Sequence, residues 1–315
     1  MPLPRLPRYE FGVSVDILDC AYCFDEFAAS FLVVEGQGTA FVETNTAHAV
    51  PLLLRALAQR GFSPASVQYI VITHVHLDHA AGTAALARAC PNARVLAHPR
   101  AARHLRDPAK LVAGATAVYG AARFAELYGA IEPVPADRIR EMADGEAIDF
   151  GRRRWKFLHT RGHANHHLVL WDSELQATFT GDAFGVLYPT LQGRGLFIFP
   201  STSPTDFDAE QAHLSIDRIA SQPGDRAFLT HFGELRGLKK AAEQLHDWIH
   251  FSEELRQKAA LLSPEAAGVL CQQAIDERFE KEMRDRKIWS DAHWKLTQID
   301  RELNAAGLAH AAHKP

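Results

Sequence analysis

Long apolar runs are missing from this sequence. No stretch approaches the roughly 20 residues that a membrane-spanning helix needs, so no membrane partner is expected. A basic excess is missing too. Lys and Arg number 34 against 38 Asp and Glu, a formal net charge of -4, which leaves no electrostatic footprint for nucleic acid. Cysteine is scarce, with four copies at 20, 23, 90 and 271. Cys20-Ala-Tyr-Cys23 is a lone C-x-x-C without a second pair, so reduced, structural thiols in a cytoplasmic protein are expected. The first ten residues hold no apolar core segment and no small-residue cleavage site, so no secretory signal is expected there. No Gly-x-Ser-x-Gly elbow, internal repeat or low-complexity segment occurs.

What remains is ordinary globular composition: 315 residues, 47% hydrophobic and 23% charged, enough for one large domain plus an extension. Histidine is the anomaly, with 17 copies, several of them clustered. The densest cluster is Thr-His-Val-His-Leu-Asp-His at 73–79, which places His74, His76, Asp78 and His79 within six positions. Before it runs Tyr69-Ile70-Val71-Ile72, apolar and β-branched, which reads as a buried strand. After it come Ala80-Ala81-Gly82 and an alanine-rich stretch that reads as a helix near 80–89. The cluster therefore sits on a strand-to-helix loop, where side chains converge without packing a core. Imidazole with carboxylate suits zinc, iron or manganese.

Residues 12–18 alternate as a half-buried strand does, and 31–34 and 40–42 follow across Glu-Gly-Gln-Gly, which is turn chemistry. Val50, Leu53, Leu54 and Leu57 repeat at helical spacing, with Gly61 as a stop. Strand 94–97 precedes an alanine-rich helical region, 98–130, which Gly114, Gly120 and Gly129 are expected to break. Strand patterns return at 155–159, 168–171 and 177–180, and 227–230 reads as the last clear strand. Arg152-Arg153-Arg154 reads as a solvated charge run. From about 234 the chain is helical and charged, with Trp248, Trp289 and Trp294 as anchors. Two sheets with helices outside fit this order better than a regular βαβ array.

Three further ligand types each follow a strand: His163, Asp182 and His231. A lone histidine after a strand is more often structural. Four strand ends that each deliver a ligand reverse those odds, because strand ends along one edge of a sandwich are close in space. Five histidines and two aspartates are enough for two metals, with one aspartate bridging.

At this point the chain resembles the metallo-β-lactamase-fold hydrolases, and within them the glyoxalase II and lactonase-like branch. The motifs are Thr-His-Val-His-Leu-Asp-His-Ala-Ala-Gly (73–82), Gly-His-Ala-Asn-His-His (162–167), Thr-Gly-Asp (180–182) and Thr-His (230–231). The resemblance implies an α+β fold, an αββα sandwich of two mixed β-sheets with flanking helices, as a catalytic domain over 1–233. A helical C-terminal extension, 234–315, would pack on or cap it. The resemblance also implies two divalent metal ions, zinc first, with iron or manganese compatible. His74, His76 and His163 would hold the first, and Asp78, His79 and His231 the second, with Asp182 bridging. His167 matches a histidine that supports such a site by hydrogen bonding. Two metals about 3.5–4 Å apart can share a water and hold it as hydroxide at neutral pH. Asp78 would also take a proton as the leaving group departs.

The loop after Asp182 is rich in Gly, Pro and aromatics. It can form an apolar wall with Phe184 and with Tyr188 or Arg194 as a polar contact, or its aromatics can cover the core. The expected reaction is hydrolysis of an ester, thioester or lactone of a small molecule. A mononuclear iron persulfide dioxygenase is the alternative, and the intact Asp78, His79 and His231 argue against it. A homodimer is compatible with the extension; no nucleic-acid partner is expected.

Overall fold

The computed structural model describes residues 14–202 and 206–314. The expectation for residues 1–10, and the first two residues of the strand expected at 12–18, lie outside the described residues. The chain divides into two compact units.

The first unit gathers residues up to 159 together with 166–181 and 226–234. Six strands, β1 (Ser14–Asp19), β2 (Ala29–Glu35), β3 (Gly38–Val42), β4 (Val67–Ile72), β5 (Arg94–Ala97) and β6 (Ile139–Glu141), form one sheet in sequence order. The pairings β1–β2–β3 are antiparallel and β3 to β6 are parallel, so the sheet is mixed. The second sheet runs in the order β12-β11-β10-β9-β8-β7. Its strands are β7 (Ala147–Phe150), β8 (Arg153–His159), β9 (Leu168–Asp172), β10 (Ala177–Gly181), β11 (Arg226–Leu229) and β12 (Gly233–Arg236). It too is mixed, β10 and β11 being parallel. β12 is a strand the sequence reading did not anticipate after 227–230.

The period of two along each strand builds two cores at once. Phe31, Val33, Val42 and Val71 join Trp155, Phe157, Phe179 and Phe228 between the sheets. Leu32, Phe41, Ile70 and Ile72 turn the other way, onto helices. Those helices are α1 (Val50–Gln59), α2 (Leu77–Ala80), α3 (Thr83–Ala89), α4 (Pro99–Arg106), α5 (Ala109–Tyr119) and α6 (Ala121–Tyr128). α1 is the crossover that a parallel β3–β4 pair requires, and it buries Val50, Leu53, Ala56 and Leu57 at helical spacing.

Local chemistry corrects three expectations here. The helix expected near 80–89 is split at Gly82, whose N–H donates to the Asn45 carbonyl oxygen at 2.8 Å instead of within the helix; a Cβ there would come within 2.8 Å of the Thr46 carbonyl oxygen and 2.9 Å of that of Thr44. Gly114 breaks nothing. It sits on the exposed face of α5, where glycine costs only about 1 kcal/mol against alanine. The three arginines are not all solvated: Arg153 is fully buried in an ion pair with Asp172 at 2.6 Å.

The second unit gathers 160–165, 182–225 and 235 onward. Its helices are α7 (Ala209–Ala220), α8 (Leu238–Ala259), α9 (Pro264–Asp285), α10 (Asp291–Leu296) and α11 (Gln298–Ala312). Trp248 of α8 is buried against Phe279 of α9 at 5.1 Å between ring centroids, and Phe199 meets the same ring at 4.8 Å. Thr202 donates its N–H to Asn304 Oδ1 at 2.7 Å. The C-terminal helices and the 182–202 segment thus share one core. Trp289 anchors nothing in that core: it is 37% exposed and lies under the Arg284 guanidinium. No helix among the described residues is long and apolar enough to cross a membrane.

Candidate metal centre

β4 delivers the chain buried to Ile72, and the next residues turn into the short helix α2, with His76 at its N-cap. Backbone bonds pin this turn: Thr44 N–H donates to the His79 carbonyl at 3.0 Å and Gly82 N–H to the Asn45 carbonyl at 2.8 Å. The Asn45 side chain donates to the Asp78 carbonyl at 2.9 Å. Glu43 and Asn45 themselves sit at φ +65° and +52°, a left-handed conformation that non-glycine residues adopt where the surroundings impose it. His74 and His79 are fully buried, His76 is half-buried, and the Asp78 side chain is 25% exposed. A cation bound here would therefore be reached from the Asp78 side.

Within the first unit, Asp78, His79 and His231 form one group of converging ligand atoms, and Glu43, His74 and His79 form another. Asp78 Oδ2 lies 3.3 Å from His231 Nε2 and 3.8 Å from His79 Nε2. The far nitrogen of each ring is held by the protein. His231 Nδ1 is 2.7 Å from the Phe27 carbonyl oxygen, an acceptor, so Nδ1 carries the proton and Nε2 the lone pair. His79 Nδ1 is 3.5 Å from Glu43 Oε1. The Thr73 hydroxyl donates to Glu43, so its oxygen accepts from His74 Nδ1 at 3.1 Å and leaves His74 Nε2 as the ligand nitrogen. The His74 and His76 rings are 4.5 Å apart.

The second unit repeats the arrangement. His163 Nδ1 lies 3.0 Å from the Ser201 carbonyl oxygen, and His163 Nε2 faces Asp182 Oδ2 at 3.5 Å. At both His231–Asp78 and His163–Asp182 a ring lone pair confronts a carboxylate oxygen, acceptor against acceptor. Only a proton or a metal cation stabilises such a contact. The donor set, imidazole nitrogen and carboxylate oxygen with the His74, His79, His163 and His231 rings oriented from behind, fits a borderline divalent metal.

His167 is buried, with its ring 4.8 Å from that of His74 at an interplanar angle of 29°. Gly181 of Thr-Gly-Asp has φ +49°, and a Cβ there would come within 2.5 Å of Thr73 Oγ1 and 2.7 Å of His167 Nε2. The motif needs glycine because two site residues occupy the space a side chain would take.

Two residues escaped the sequence reading. Glu43 and Thr73 flank the cluster; the one hint in the sequence is that Glu43 is a carboxylate placed directly after the apolar β3, which does not reveal its partner. Glu43→Gln is expected to lower metal affinity by about 10–100-fold, since partners behind the ligands typically carry that much. Equilibrium dialysis against zinc checks it, and unchanged affinity removes Glu43 from the site.

The substrate candidates fare differently. Phe184 and Tyr188 are buried, and the Tyr188 hydroxyl donates to Asp300 at 2.8 Å. They cover the core of their unit, the second of the two readings given for that loop. Arg194 is exposed. Instead, the loop 20–28 brings aromatic surface to the centre. The Phe27 ring packs edge-on against His231 at 5.0 Å, and Tyr22 lies 6.1 Å from Tyr128. Burial, and next the Asp78 charge, push the Tyr22 phenol up, and burial pushes Tyr128 up, so both are neutral donors. Nearby Cys20 is an inert thiol, its pKa pushed up to about 12 by burial.

Comparison with known proteins places this geometry. Residues 24–231 match the family model described as the metallo-β-lactamase superfamily. A metallo-β-lactamase fold-containing protein of Sulfurisphaera tokodaii is 32% identical over 143 residues, 44% of this chain and 50% of that protein. The chain thus spans about half the length of that curated relative. Among solved structures, an archaeal metallo-β-lactamase superfamily protein from Sulfolobus tokodaii superposes with a TM-score of 0.59 at 23% identity, covering 78% of this chain and 86% of that one. A metallo-β-lactamase family protein from Thermus thermophilus gives 0.61 at 21%, covering 94% and 91%. These structural likenesses bear out the expected fold: two mixed sheets with flanking helices, plus C-terminal helices.

Proposed function

The chain belongs to the metallo-β-lactamase superfamily, and from that premise we propose that it is a metal-dependent hydrolase of the glyoxalase II and lactonase-like branch. Its substrate is a small molecule with an ester, thioester or lactone bond. The observation that carries the reading is the Asp78–His79–His231 group, in which ring lone pairs and a carboxylate converge. An oxidising enzyme built on one iron would do without part of that second set, so its presence argues against the alternative.

In this reading His74, His76 and His163 would hold a first divalent ion and Asp78, His79 and His231 a second, with Asp182 a ligand to both and zinc the metal. When bound, such ions would lower the pKa of water at the site and polarise the substrate carbonyl. The chain's own residues do the rest. Glu43, Thr73 and the Phe27 and Ser201 carbonyls fix which ring nitrogen His74, His79, His163 and His231 present. Asp78, partly exposed at the mouth, accepts a proton and passes it to the departing oxygen or sulfur. Phe27, Tyr22 and Tyr128 exclude water beside Asp78 and accommodate an apolar acyl group, with the neutral phenols as hydrogen-bond donors. Residues 1–233 would carry the chemistry and 234–315 support it, in a cytoplasmic protein without nucleic-acid or membrane partners.

The test is a panel of lactones, thioesters and phosphodiesters assayed on protein of measured metal content. Two zinc ions per chain with turnover of an ester, thioester or lactone is the expected result. One iron per chain, without such turnover, overturns the reading in favour of the dioxygenase.

A further inference from the structure

The histidine excess is not used up by the metal centre. Three more histidines meet in the second unit, where α7 carries His213 and α8 carries His246 and His250, one turn apart on a single face. The His213 ring stacks on His246 at 4.8 Å between centroids and lies 4.4 Å from His250. His213 Nδ1 is 2.6 Å from His246 Nδ1. Behind His246, its Nε2 is 2.9 Å from Asp217 Oδ1, one turn along α7 from His213.

We propose that His213, His246 and His250 form an additional transition-metal site, which takes a borderline divalent ion such as Zn2+ or Cu2+. The Asp217 carboxylate can only accept, so His246 Nε2 carries its proton and Nδ1 presents a lone pair towards His213. That is the carboxylate–histidine–metal arrangement found behind ligating imidazoles. At present one hydrogen lies between the two Nδ1 atoms. The ion takes its place, and His213 carries its proton on Nε2 instead, so no proton need be released. Metal–nitrogen bonds of about 2.0–2.1 Å require the pair to open, which half-exposed side chains on surface helices allow by rotation. His250, exposed, swings in as the third ligand.

Two features support entry and binding. His213 and His250 line a cavity of about 670 Å³, through which a hydrated ion reaches them. Burial, then the neighbouring His246 and His250, hold His213 below the ordinary histidine pKa, so it is neutral and ligand-ready at neutral pH. Imidazole donors favour zinc, copper and nickel. The site shares no ligand with the metal centre and does not depend on the proposed reaction.

The experiment uses the full chain purified with its own metals, desalted and dialysed to equilibrium against micromolar Zn2+, with metal counted per chain before and after. The wild-type protein is expected to gain one ion. His246→Ala and, separately, His250→Ala lose that gain while keeping the metals present beforehand. His250 is exposed, so its replacement leaves the fold intact. Asp217→Asn keeps all three ligands and weakens uptake by about 10–100-fold. No gain in the wild type, or a gain that survives both histidine replacements, overturns the proposal.

Discussion

Asp182→Ala is expected to abolish hydrolysis and to strip metal from the protein, and His76→Ala to abolish hydrolysis with a smaller loss of metal. The asymmetry follows from the proposed ligand sets. In those sets Asp182 would serve both ions, so its removal would weaken two sites, whereas His76 would serve one. A metal acting as Lewis acid lowers the barrier by several kcal/mol, and each 1.36 kcal/mol is tenfold in rate, so losses of about three orders of magnitude or more are expected. Removing Asp182 also takes away the carboxylate facing His163 Nε2 at 3.5 Å, which leaves the ring oriented by Ser201 but without its companion ligand. Metal counting alongside kcat/KM decides the matter. Full activity, or unchanged metal content, in either variant would sink the ligand assignment.

The candidate site residues stood out in the sequence for a chemical reason. Histidine and aspartate rarely follow buried strands unless something holds them there, and that pattern occurs four times. The residues behind the ligands were harder to read, because their role depends on distance rather than type. Glu43 is 30 residues from Thr73, and nothing in either residue announces that a hydroxyl will bridge a carboxylate to His74 Nδ1. The aromatic loop after Asp182 shows the limit from the other side. A long loop of Gly, Pro and Phe suits a pocket wall and a packed cover equally, and only the partners of Phe199 and Tyr188 on α9 and α11 separate the two. Gly114 misled because a helix tolerates one glycine on an exposed face. Arg153 was within reach. The alternation that buries Trp155 and Phe157 in β8 places Arg153 on the same face, and charge alone argued for solvent.

That buried arginine carries the largest expected effect on stability. Arg153 Nη1 donates to Asp172 Oδ2 at 2.6 Å, its Nη2 donates to the Val34 carbonyl at 3.1 Å, and its Nε lies 3.3 Å from Glu35 Oε2. Asp172 Oδ2 also accepts from Trp155 Nε1 at 2.7 Å, and its Oδ1 accepts the N–H groups of Glu174 and Leu175. Arg153→Ala leaves the Asp172 carboxylate buried without its cation, and leaves Glu35 with only the exposed Arg152, whose Nε is 3.2 Å from Glu35 Oε1. Breaking a buried pair in this way costs about 3–5 kcal/mol, far more than the roughly 0–1 kcal/mol of an exposed pair such as Arg154–Asp149 at 2.8 Å. Arg154→Ala is therefore the control, and urea denaturation of both variants is the measurement. Adding Glu35→Gln to Arg153→Ala is expected to restore part of the loss, because a neutral amide is cheaper to bury than a carboxylate. A loss below about 1 kcal/mol for Arg153→Ala would mean that water reaches the pair once the side chain is gone. Since Arg153 and Asp172 lie on β8 and β9 and are outside the proposed ligand set, metal affinity in Arg153→Ala should fall only as far as the folded fraction does.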